Sequence, residues 1–167
     1  MDAFLRDLGQ PEYLHVLLNP LPVYGLGVAL LGLIAAMCMN NRGGQVVALA
    51  LVCTCAASAW LVVHYGEAAE SGVLGMADDD GQAWLKAHEH RADELVWTYT
   101  VLALVSVAAM FLPRKWPKSA RPLSLIAIVW GIVALSSGAY ISHAGGKIRH
   151  KEFRNVPPPV TTEAETS

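Results

Sequence analysis

Charged side chains are scarce in this sequence. Asp, Glu, Lys and Arg make up 16% of its 167 residues, against about 25% in an ordinary soluble domain. Disorder needs low hydrophobicity and high net charge, whereas this chain is 54% hydrophobic with a formal net charge of −2. It has no basic face to follow a phosphate backbone, which excludes nucleic acid as a partner. Cysteine is scarce too. Cys38, Cys53 and Cys55 all lie in apolar runs, which excludes a disulfide-stapled secreted domain. Cys53 and Cys55 stand two apart, so on a helix their thiols diverge and read as packing residues. CxxCH is missing, which excludes covalent c-type haem. No internal repeat or lipidation motif is evident, and the length fits one domain.

The hydrophobic residues fall in four blocks, about 16–39, 45–65, 95–112 and 122–142. None contains Asp, Glu, Lys or Arg. Crossing about 30 Å of hydrocarbon takes about 20 apolar residues. A soluble bundle would keep a polar face on each helix, and these blocks are apolar all round. The fold predicted is all-α: a four-helix transmembrane bundle, up-down-up-down, over residues 1–154. An extended polar tail follows over 155–167. The first block is too long for a signal peptide and lacks a basic leading region and a clear cleavage site. The spans hold no carboxylate or lysine, the residues that ion-coupled transporters and pumps keep at mid-membrane. No nucleophile sits beside a base, so membrane hydrolase chemistry has no support either.

Charge sets the orientation. The first and third connections carry Arg42, Arg114, Lys115, Lys118 and Arg121 and no acid. Short basic loops stay cytoplasmic. Both termini and the acidic second connection, Gly66 to Glu94, are therefore expected on the outer, periplasmic face of a bacterial inner membrane. The basic stretch Lys147, Arg149, Lys151 and Arg154 runs against this rule.

All six histidines belong to that outer side: His15, His64, His88, His90, His143 and His150. Neutral imidazole ligates haem, zinc, copper and iron, and four-helix bundles build cofactor sites from facing helices. An interfacial accident of composition is the plainer alternative. Diagonal spans in such a bundle pair one with three and two with four. Bis-histidine ligation would then join His15 to His90 and His64 to His143. Small residues before His64 and His143 leave room for a flat macrocycle, although they equally serve helix packing. Arg91, Lys147 and Arg149 lie on the correct side for haem propionates. His88-Glu89-His90 is not HExxH, so a zincin is unsupported.

Two stretches resemble a bacterial family of four-span membrane proteins of unassigned function, suspected to be b-type cytochromes. That family opens its first span on an HPxxxHFPI-like motif, which His15-Val16-Leu17-Leu18-Asn19-Pro20-Leu21-Pro22-Val23 resembles. It follows its fourth span with Gly-Gly and a histidine, as Gly145-Gly146 and His150 do here. A histidine opening span three fits His90. Pro20 stands where the family has its second histidine, the spacing after Gly145-Gly146 is shorter, and His64 and His143 have no counterpart. The resemblance implies a membrane-bound b-type cytochrome with His15 and His90 as its ligands. His64 and His143, which the bundle order pairs, would supplement or replace them, so the candidate ligands of one or two haems b are His15, His64, His90 and His143. Such a cytochrome would act as an electron-transfer subunit more than as a catalyst. Its partners would be membrane lipid, other subunits of a redox complex, and a quinone or a periplasmic cytochrome. Two other readings stand beside it. One is a cofactor-free accessory subunit of a membrane complex. The other is an outer-face metal-binding protein using the same histidines with Asp78, Asp79 and Asp80.

Overall fold

The computed structural model describes residues 2–159, and the end of the predicted tail, 160–167, lies outside them. Helix α1 is Asp2–Asp7, α2 Pro11–Leu18, α3 Leu26–Cys38, α4 Arg42–Leu74, α5 Asp79–Phe111 and α6 Ala120–Arg149. A π-helical turn, Leu21–Gly25, joins α2 to α3. The described residues contain no strand. Four stretches are long and apolar enough to cross a membrane: Pro11–Cys38, Arg42–Leu74, Asp79–Arg114 and Pro117–Arg149. The chain is a multi-pass membrane protein built as a four-helix bundle.

Each break between helices has a local cause. Pro20 and Pro22 lack an N–H, and the backbone passes them through the π turn. Asn40 takes a left-handed φ of 50°, a conformation that asparagine tolerates better than most residues. Asn41 then caps α4, its side chain accepting from the Gly44 N–H. Pro113 and Pro117 stop α5 and start the approach to α6 through two 3₁₀ turns, Leu112–Arg114 and Pro117–Ser119.

The second connection is much shorter than the sequence reading expects. Residues 66–74 complete α4, and 79–94 open α5. Only Gly75–Asp78 lies between them. The stretch is polar but contains no proline, and it is rich in Ala and Glu, which favour helix. Asp78 caps α5 by accepting from the Gly81 N–H. Each of these helices has 33 residues, or about 50 Å at 1.5 Å per residue. About 20 residues cross the hydrocarbon, so the surplus of both helices projects at one end.

Sequential spans are neighbours around the bundle, and α3 against α6 closes the ring. A stripe of small buried residues on α6, Ala127, Gly131, Ala134 and Gly138, lets the neighbouring helices approach. At Gly131 a Cβ would come within 2.6 Å of Leu30. Leu26, Leu33, Leu49, Val52 and Leu102 are fully buried between the helices. At the short-loop end Arg42 donates to the Ala109 carbonyl at 2.7 Å, tying the start of α4 to the end of α5.

At the opposite end the chain is clasped. Arg154 donates to the carbonyls of Lys147 and Ile148, both at 2.7 Å, satisfying the open end of α6. The same guanidinium pairs with Asp78 at 2.8 Å, and Lys151 joins it at 2.9 Å. One arginine therefore ties the end of α6 to the cap of α5.

Candidate functional site

Two histidines meet between the helices at the clasped end. His15 stands on α2, the first half of span one, and His88 on α5, in span three. Their ring centres are 6.3 Å apart and their planes are nearly perpendicular, at 84°. They are the diagonal spans that a bis-histidine site requires.

The rings are held in the same way. His15 Nδ1 bonds the Val62 carbonyl of α4 at 2.8 Å. His88 Nδ1 bonds the Ile141 carbonyl of α6 at 3.0 Å. A carbonyl oxygen only accepts, so each Nδ1 carries the proton and each Nε2 keeps its lone pair. Four residues beyond each carbonyl is a glycine, Gly66 and Gly145. A helical side chain leans back over the preceding turn, so a Cβ there would cover the accepting carbonyl. At Gly66 it would come within 3.0 Å of the His15 ring, and at Gly145 within 3.1 Å of His88. The two half-sites share one construction: a histidine, a carbonyl on the next span, and a glycine one turn on.

Both rings line a cavity of about 470 Å³, within the roughly 300–1,000 Å³ of small-molecule sites. Its lower wall is apolar, with Val23, Ala59, Val63 and Val96. Tyr99 is the exception. It is 3% exposed, its hydroxyl lies against Gly138, and that hydroxyl has no hydrogen-bond partner among the described residues. Charge gathers at the mouth, where Glu67, Glu70, Glu89 and Asp93 face a single cation, Arg149.

The other sequence candidates lie elsewhere. His64 is exposed and stands edge-on to Tyr65 at 5.3 Å. His90 is exposed and pairs with Glu94 on its own helix at 3.4 Å. His143 is exposed and stands 6.5 Å from the Trp84 ring. None of the three lines the cavity. Arg149 lines it, but Arg91 and Lys147 do not. Arg91 bonds the Tyr140 carbonyl at 3.0 Å and lies 3.8 Å over that ring. Lys147 is buried, 4.2 Å over Trp84. Among the described residues no three His, Cys, Asp or Glu side chains converge to hold a metal ion, so Asp78, Asp79 and Asp80 form no chelate with the histidines.

His88 is the residue the sequence reading passed over. Its spacing carries a signal: Leu85, His88, Val96, Tyr99, Leu102, Ser106 and Ala109 follow one helical face, and all but His88 itself are buried. His90 is about 200° round from His88 at 3.6 residues per turn, and points out. Compared with family models, curated proteins and solved structures, the chain matches none of them.

Proposed function

We propose that this protein is a membrane-bound b-type cytochrome subunit in which His15 and His88 would hold one haem b. The observation that carries this reading is the matched ring pair. Two imidazoles on one metal atom, with metal–nitrogen bonds of about 2.0 Å, have ring centres roughly 6 Å apart. A plain edge-to-face contact covers the same range. What separates the two is the pair of Nδ1–carbonyl bonds, the outer-shell contact that fixes a ligating imidazole and leaves Nε2 for the metal.

The residues present fit the group. Val62 and Ile141 orient the ligands, Gly66 and Gly145 make room for them, and the apolar wall suits a macrocycle. Arg149 is the propionate partner at the mouth. The four carboxylates that line the same cavity leave no other place there for an acidic edge. Bound haem supplies reversible one-electron chemistry. The protein holds the ligands in one tautomer, keeps the site in a low-dielectric wall, and sets the charge around its mouth. The short basic loops favour the outer side of a bacterial inner membrane for the site. A quinone or a periplasmic cytochrome is then the exchange partner, within a larger redox complex. The two motifs that resemble the four-span family support the same reading through His15.

The test is spectroscopic. Full-length protein purified in mild detergent, from cells supplied with haem, should show a sharp reduced α-band and about one haem b per chain by pyridine haemochrome. The His15→Ala and His88→Ala variants should lose it, and His90→Ala should keep it. A colourless wild type would sink the cytochrome and leave a cofactor-free accessory subunit.

A further inference from the structure

A second cavity, of about 320 Å³, opens at the short-loop end, away from the histidines. It lies among the end of α3, the 3₁₀ turns and the N-termini of α4 and α6. Its polar lining is Asn40, Arg42, Gln45 and Arg121. No carboxylate lines it, and residues 40–44 and 113–121 contain none.

Arg42 is held in place by neutral groups, the Ala109 carbonyl at 2.7 Å and Gln45 Oε1 at 3.3 Å. These bonds fix the guanidinium and leave its charge uncompensated. Arg121 is exposed, with no hydrogen-bond or ion-pair partner among the described residues. Helices α4 and α6, of 33 and 30 residues, both point their positive ends at the cavity. Ser119 gives α6 no side-chain cap. Two arginines, the uncapped N-terminus of α6 and no acid make a cavity suited to an anion. Arginine suits phosphate oxygens bidentately, and basic pockets between spans take phosphate head groups.

We propose that this cavity binds a phosphate group, recognised by Arg121 and by the pre-positioned Arg42. The group could come from an anionic lipid head group or from free phosphate. The site is independent of the haem reading.

The test is thermal unfolding of the full chain in neutral detergent. The probes are phosphatidylglycerol, phosphatidylcholine and inorganic phosphate. Phosphatidylglycerol should raise the Tm saturably and phosphatidylcholine should not. Arg121→Gln should weaken the apparent affinity about tenfold, the loss of one charge-assisted contact. Arg121→Lys should fall between. Lys118→Gln removes the same charge outside the cavity and should behave as wild type. A saturable shift with inorganic phosphate that Arg121→Gln also weakens supports the site, with free phosphate as its source. A shift with lipid alone supports it with the head group as source. Equal losses in Arg121→Gln and Lys118→Gln would reduce the effect to diffuse attraction and overturn the site. So would the lack of a saturable shift with either anion.

Discussion

The two halves of the histidine site hold their rings alike and their backbones differently. His88 sits within a helix of 33 residues that is capped by Asp78 and clasped through Arg154. His15 sits on an eight-residue helix with no buried residue, ended by Pro20 and carried onward by a π turn. Yet the Nδ1–carbonyl distances differ by only 0.2 Å, 2.8 against 3.0 Å. The position of each ring is therefore set by the next span, through a carbonyl and the glycine above it, more than by the helix that bears it. A short helix with no buried residue can present its ring if its neighbour receives it.

That comparison breaks most sharply at the rings themselves. If the proposed haem is held by both rings, His15→Ala and His88→Ala should each abolish the low-spin haem spectrum. If one variant keeps a six-coordinate spectrum, the halves are not equivalent and a residue outside the cavity has been drawn in as ligand.

The glycines test the same equivalence with a smaller effect. Gly66→Ala and Gly145→Ala each put a Cβ near 3 Å from a ring. Overpacking costs about 1–3 kcal/mol, while Ala regains about 1 kcal/mol of helix propensity over Gly. Apo-protein stability, read by thermal unfolding, should then fall by no more than about 2 kcal/mol. Haem retention, read by the ratio of Soret to protein absorbance, should fall clearly in both variants. Loss of retention from Gly145→Ala alone would mean that the short α2 gives way and the long α5 cannot. That would sharpen the comparison into a difference in stiffness.

Much of this was legible in the sequence. Four uncharged blocks predict the four spans because lipid leaves no alternative to helix for a single apolar run. The diagonal pairing of span one with span three follows from their order around a bundle, and it pointed to His15. His88 was hidden because residues 66–94 read as a polar loop, and in a loop His88 and His90 are interchangeable. Once 79–94 is helix, the spacing to Val96, Tyr99 and Leu102 selects His88. The matched half-sites were invisible for another reason. Their common parts are two backbone carbonyls, 47 and 53 positions from their histidines, and a glycine four residues beyond each. No side-chain pattern repeats, so the chain shows no internal repeat even though the geometry does.

The smallest effect belongs to the clasp, which only the second half has. Lys151 and Arg154 bonded to Asp78 hold its carboxyl down at about 2. A carboxylate depressed in the folded state adds stability above its unfolded value of about 4, and loses it as pH falls toward 2. Glu152 is also held low, by its own backbone N–H and by His150, so a substitution is needed to isolate Asp78. Asp78→Asn should flatten the dependence of Tm on pH between about 4 and 2 and leave the plateau above pH 5 slightly lower. Arg154 keeps its carbonyl partners in that variant, so the end of α6 should stay tied. Exposed ion pairs are screened by salt, so the difference between wild type and variant should shrink in 1 M NaCl. Haem retention in Asp78→Asn should match wild type if the carbonyl and glycine alone seat His88. If it falls with the clasp, the long helix depends on its cap after all, and the two halves differ in kind.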